Sequence, residues 1–283
     1  MSIALIAGLA MLVGAVVEGV ALYFLLNMLL AAGATRKNYR GNDIPVSAGI
    51  SLLVSVILVF LFYVLIRRYD FSFHLYLVGI ISICFLGFID DMLGQRDTLG
   101  FKGHFGALFQ GKLTTGGLKA LGGGMIAFFL ALSLSQLESL GNGWVDILIN
   151  TLIIALFTNM LNLLDLRPGR AIKGYFFFLL LIILMAAGRV DWLLITPLLG
   201  AILVYFPVDL KARAMMGDAG SNVLGLTLGY YSIIFLSLPY RAAVLLFLIA
   251  MHIYTEKFSL TKTIEQVPLL RLIDQAGRSR ENG

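Results

Sequence analysis

An all-α, polytopic integral membrane protein is the fold class this sequence predicts, and three observations predict it. Hydrophobic residues fill 59% of the 283 positions and charged residues only 13%, where soluble domains run nearer a quarter charged. The mean hydropathy is +0.93. Apolar runs near the roughly 20 residues a helix needs to cross a bilayer recur along the chain, separated by polar segments too short for a soluble domain. About nine transmembrane helices in one membrane domain, 1–254, and a cytoplasmic amphipathic tail, 255–283, account for the sequence.

The first run, 3–33, has no basic n-region and no small-residue cleavage site, so it reads as a retained helix. It contains Glu18. Because this run exceeds one bilayer thickness, Glu18 is expected near the outer interface. Further runs lie at 46–66, 75–90, 118–135, 144–164, 172–188, 191–208, 220–238 and 241–254. Cys84, the only cysteine, excludes an intramolecular disulfide and reads as a small buried hydrophobe. Gly122-Gly123-Gly124 reads as a point of close helix packing. After Tyr254, apolar residues at near-helical spacing are interrupted by Pro268, which predicts two short amphipathic pieces on the inner interface.

Charge sets the orientation. With the N-terminus outside and the C-terminus cytoplasmic, the inner segments hold seventeen of the basic residues and the outer ones only Arg67, Arg68, Arg189 and Arg241. Trp144 and Trp192 then begin their spans at the outer headgroups. The net charge of +5 is thus a face beside anionic lipid, with no nucleic acid implied.

In this orientation the notable acids all fall on the cytoplasmic side. Asp90 and Asp91 end the third span, Asp165 the fifth, and Asp218 precedes the eighth. Two acids at a helix C-terminus oppose its dipole and call for a compensating cation. Asn159, Asn162 and Asp165, spaced three apart, share a sector of about 120° that must face protein rather than lipid. Taken singly, Asp218 reads as the N-cap of the eighth helix and the asparagines as interhelical glue. Together the acids point to a hard oxygen-ligated cation such as Mg²⁺, bound through one or two carboxylates plus substrate phosphates. Lys112, Lys119, Arg167, Arg170 and Lys173 on the same face are suited to phosphate oxygens. Such a boundary site fits an anionic reaction between a water-soluble donor and a membrane acceptor.

Three blocks, Gly87-Phe-Ile-Asp90-Asp91, Asn159-x-x-Asn162-x-x-Asp165 and Met216-Gly-Asp218-Ala-Gly-Ser221, resemble in order those of the polyprenyl-phosphate N-acetylhexosamine-1-phosphate transferases, which include phospho-N-acetylmuramoyl-pentapeptide transferase. His252-Ile-Tyr-Thr-Glu256 is similar to that family's histidine-rich inner segment. The resemblance implies transfer of a sugar-1-phosphate from a UDP-sugar to a polyprenyl phosphate, for cell-envelope polysaccharide synthesis at a bacterial-type plasma membrane. It also implies Asp218 as a magnesium ligand, and Asp90 and Asp91 on the lipid phosphate. Asp165 would lie near the donor diphosphate and His252 on the donor. From their charge, polarity and place, and not from the resemblance, Asn159, Asn162, Lys112, Arg167 and Arg170 are read as binding substrate. A homodimer is implied by the resemblance alone.

The chain departs from the family after Asp165, where Gly-x-Asp-Gly-Leu is replaced by Leu166-Arg167-Pro168-Gly169-Arg170. A carboxylate is lost and two guanidinium groups are gained. The exchange predicts a more cationic edge, with Arg170→Ala changing donor affinity more than fold. Two other classes compete with the enzyme: a catalytically altered relative that binds polyprenyl phosphate or nucleotide as a regulator or partner, and a transporter. The transporter expects acids near the bilayer midplane and inverted repeats, whereas these acids stand at one boundary and no repeat is evident.

Overall fold

The computed structural model describes residues 2–94, 114–136 and 143–278. Within them, helices form at all nine predicted runs: α1 (Ile3–Ala31), α2 (Ile50–Leu65), α3 (Phe71–Leu93), α4 (Thr115–Leu134), α5 (Trp144–Leu164), α6 (Arg170–Met185), α7 (Trp192–Leu210), α8 (Gly217–Phe235) and α9 (Leu238–Lys257). Six of these, α1, α3, α4, α5, α7 and α9, are long and apolar enough to cross a membrane, and α2 is a shorter apolar helix. The molecule is an all-α polytopic membrane protein.

Helix α8 is the axis of the bundle. It is buried without interruption from Ala219 to Ile233, enclosed by α2, α3, α5 and α6. Its polar side chains therefore meet protein: Tyr76 Oη lies 3.1 Å from Thr227 Oγ1, Tyr230 donates to Ser72 O at 2.5 Å, and Tyr231 donates to Leu194 O at 2.8 Å. Gly225 and Gly229 let α8 press on α5, since a Cβ at either would strike the backbone of Thr158 or Ile154.

The first inner segment, read only as a basic loop, forms a hairpin of β1 (Thr35–Lys37) and β2 (Asp43–Pro45). Its turn is organised by Asn38 Oδ1, which accepts from Arg40 N at 2.8 Å and Asn42 N at 3.0 Å. Glu18 does not sit at the outer end of α1. It is fully buried at mid-helix, accepting from Ser51 Oγ at 2.5 Å and Ser55 Oγ at 2.7 Å on α2, because a carboxyl at that depth requires polar partners.

The tail forms α10 (Leu260–Gln266) and α11 (Pro268–Gln275), broken at the predicted proline. Its acid Asp274 turns inward onto Arg170 at the start of α6, while Leu269, Leu272 and Ile273 are exposed.

Candidate active site

Ends of α3, α4, α5, α8 and α9 meet at one end of the bundle around a cavity of about 760 Å³. Asp90, Lys119, Asn159, Asn222, His252 and Glu256 give it polar walls; Ile83, Leu121, Ala155, Leu156 and Ile253 give it apolar ones. The glycine run contributes unexpectedly. Gly122 does pack closely, on Leu86, but at Gly124 a Cβ would meet nothing within 4 Å and at Gly123 only Ile83, at 3.5 Å. Those two glycines widen the cavity.

Adjacent helical residues point about 100° apart, and this separates the paired aspartates. Asp91 turns towards α8, is 6% exposed, and accepts from Asp218 N at 2.9 Å, Ala219 N at 3.1 Å and the Ser47 hydroxyl. It is the N-cap of α8, supplied from another helix; Asp218 is not its own cap, and Ser221 Oγ has no partner. The cation called for at the end of α3 is Arg36, whose guanidinium donates to Asp91 O.

Asp90 turns towards α4 instead. Lys119 Nζ stands 3.7 Å from Asp90 Oδ2 and is ion-paired with Asp218. Asn162, oriented so that both ends of its amide are satisfied, donates to Asp218 Oδ1 at 3.1 Å and accepts from Lys119. Asp90, Asp218, Asn162 and Lys119 thus form one cluster, and Asn159 and His252 lie in the wall of the adjoining cavity. Lys119 was legible only as one of several inner bases.

Asp165 caps the end of α5 outside the cavity wall. Burial, followed by the carboxylates of Asp209, Asp218 and Asp91, pushes its carboxyl well above the ordinary range, opposed by the Gly217 amide. Asp209 belongs to none of the three motif blocks, although it too ends an apolar run. Only 4% exposed, it accepts from Gly169 N at 2.8 Å and holds the loop that follows Asp165.

His252 Nδ1 lies 2.8 Å from Leu248 O. A carbonyl can only accept, so Nδ1 carries the proton, and the buried Nε2 has no partner.

The two arginines after Asp165 do not form a cationic edge facing the cavity. Arg170 is 4% exposed and gives a bidentate pair to Asp274, Nε–Oδ1 2.8 Å and Nη2–Oδ2 3.0 Å, with Nη1 donating to Thr261 at 2.9 Å. Arg167 lies over the Tyr39 ring, 5.4 Å from its centroid, and 4.0 Å from Glu265. Their charge is consumed by the hairpin and the tail. Lys112 lies outside the described residues.

Among the described residues no three acid, histidine or cysteine side chains converge as a metal-binding group. Asp218 and Asp90, bridged by a side-chain cation, nevertheless make a donor set that fits Mg²⁺, which takes one or two carboxylates and leaves the rest of its sphere to water and phosphate.

Among families of known proteins, the model described as glycosyl transferase family 4 matches residues 73–236, more than half of the chain. The match spans α3 to α8 and so contains all three motif blocks. No curated protein matches the sequence.

Proposed function

The chain belongs to glycosyl transferase family 4, and from that membership and the cavity we propose that it transfers a sugar-1-phosphate, an N-acetylhexosamine-1-phosphate, from a UDP-sugar to a polyprenyl phosphate. The products are a polyprenyl-diphosphate-sugar and UMP. One observation carries the reading: the cavity is walled on one side by Asp90 and Lys119, with Asp218 and Asn162 bound to Lys119 behind them, and on another by an apolar surface opened by Gly123 and Gly124. A phosphate carried on a hydrocarbon chain has that polarity.

In the reaction an oxygen of the lipid phosphate attacks the phosphorus that bears the sugar, and the bond to the bridging oxygen breaks to release UMP. No proton need be removed, because a phosphate monoester with a second pKa of about 6 is largely dianionic at neutral pH. Positioning and charge neutralisation therefore carry the catalysis. Lys119 brings positive charge to the level of Asp90 and Asp218; Asn159 and Asn162 orient, and His252 faces the donor. Mg²⁺ held by Asp218 and Asp90 would neutralise diphosphate charge. The excess of inner basic residues supports a cytoplasmic position for this end of the bundle, and the resemblance to envelope-polysaccharide transferases supports a bacterial-type plasma membrane.

The test is UMP release by the purified protein in detergent, with undecaprenyl phosphate, a panel of UDP-sugars, and Mg²⁺ or EDTA. Magnesium-dependent release with one donor, lost in Asp218→Asn while the variant stays monodisperse, is the expected result. Silence across a panel that another family member turns over would leave the binding or regulatory reading in its place.

A further inference from the structure

The cavity contains a hydrogen-bonding demand that phosphates and hydrocarbon do not meet. Asn222 follows Asp218 by four residues on α8, one turn further into the bundle on the same face. Asn159 precedes Asn162 by three on the antiparallel α5, at a matching depth. Asn222 is 0% exposed, and neither its Nδ2 nor its Oδ1 has a hydrogen-bond partner. Burying an amide in this way is costly unless something pairs with it, and Val223, Leu224 and Leu226 beside it offer no side-chain partner. Both Asn222 and His252 border the cavity, from which a bound substrate would reach them.

The chemistry of that partner follows from the atoms left open. Asn222 Nδ2 needs an acceptor, whereas Asn222 Oδ1 and His252 Nε2, with Nδ1 already donating to Leu248 O, need donors. A phosphate dianion only accepts, so it would satisfy the amide nitrogen and face the other two atoms with lone pairs. A prenyl chain satisfies none. A sugar hydroxyl or an acetamido group both donates and accepts, and is uncharged.

We propose that Asn222, with His252 Nε2, is the specificity subsite for the transferred sugar, hydrogen-bonding a hydroxyl or acetamido group on it. This rests on the phosphosugar-transfer reading above and names the part of the substrate that is selected. A site with buried polar atoms rejects an analogue lacking the matching group far more strongly than an apolar pocket rejects an added one.

The test compares wild type with Asn222→Leu on UDP-N-acetylglucosamine, UDP-glucose and the 2-deoxy analogue, which carry an acetamido, a hydroxyl and neither. In wild type one of the first two is preferred, which distinguishes amide from hydroxyl. In Asn222→Leu, kcat/KM for that donor falls by about 10- to 100-fold, the worth of one lost buried hydrogen bond, and its advantage over the deoxy analogue falls towards one. The thermal midpoint is unchanged or higher, because an unpaired buried amide has been exchanged for an apolar side chain of similar size. Retained discrimination with kcat/KM within about twofold would overturn the inference and leave Asn222 a packing residue or a water ligand. Should the leucine variant aggregate, Asn222→Ala is read in the same way. If wild type turns over no donor, the transfer reading fails by itself. The subsite is then judged by extra thermal stabilisation from UDP-N-acetylglucosamine over UDP, which must be present in wild type and lost in the variant; equal shifts, or none, overturn it.

Discussion

Removing Asp274 separates the sequence-derived role of Arg170 from the one its surroundings give it. The sequence alone predicts that Arg170 binds donor. In the structure it is 4% exposed and fully engaged by Asp274, itself 7% exposed, which also accepts from Arg278 Nη2 at 2.6 Å. Asp274→Ala leaves a guanidinium buried without its carboxylate, and breaking a buried pair from one side costs about 3–5 kcal/mol. That cost falls on the docking of α10 and α11, so the tail's opening constant should rise by about 100-fold or more. Trypsin cleavage at Lys262 and Arg271 in detergent reads this directly, because cleavage follows the population of the open form when reclosing is fast. Arg170→Met/Asp274→Leu, which removes both charges and keeps apolar volume, should recover most of the protection. Burial opposes ionisation of Asp274, but Arg170 and Arg278 outweigh it and hold its carboxyl below the usual range. A depressed carboxyl stabilises the fold above its unfolded pKa of about 3.9 and loses that contribution as pH falls through its folded value. The tail should therefore stay docked at neutral pH and release only below about pH 4. Unchanged cleavage in Asp274→Ala, together with a raised donor KM in Arg170→Met, would refute this and restore Arg170 to the substrate.

The cap assigned to Asp91 predicts that Asp91→Ala loses about 3 kcal/mol, the worth of two amide hydrogen bonds to a carboxylate at a helix N-terminus. A thermal midpoint in detergent checks it, and an unchanged midpoint with lost turnover would return Asp91 to the chemistry. Gly124→Leu should fold at least as well as wild type, given the open space at its Cβ and a gain of roughly 0.5–1 kcal/mol in helix propensity. It should raise KM for polyprenyl phosphate and leave that for the donor; equal effects on both would place the acceptor elsewhere.

The nine long helices among the described residues were legible because a bilayer demands long apolar runs and leaves little else between them. The site was legible in its acids and asparagines and much less in their roles. Asp90 and Asp91 look alike in sequence, and only the helix phase sends one to Lys119 and the other to the α8 amides. Arg170 finds its partner 104 residues away, in a tail whose sequence announced only amphipathicity. Lys119 was one base among several until α4 packed against α3 and brought it between two carboxylates. Asn222 carried a faint signal, an amide four residues after Asp218 on the same helical face, which becomes meaningful only when both of its atoms prove unpaired.

The third block is mainly construction. In Met216-Gly217-Asp218-Ala219-Gly220, Gly217 adopts φ +70° to turn the chain into α8, a backbone position that glycine takes without strain. A Cβ on Gly220 would collide with Met216 and press on the Gly49 backbone, and one on Gly87 of α3 would strike the Asp218 carbonyl. The segment before α2 pairs with the same stretch, Ala48 N to Met215 O and Gly49 N to Met216 O, both at 3.0 Å. Asp91 then closes the end of α8 from the third side. Three helices are thereby locked around one short stretch of backbone, and of all its side chains only Asp218 is directed at the cluster with Lys119. Glycines and a capping acid supply the rigidity that lets a single carboxylate be presented at a fixed place. The residues after Asp165 hold a loop and a tail, whereas the glycines hold the helix end from which Asp218 is presented.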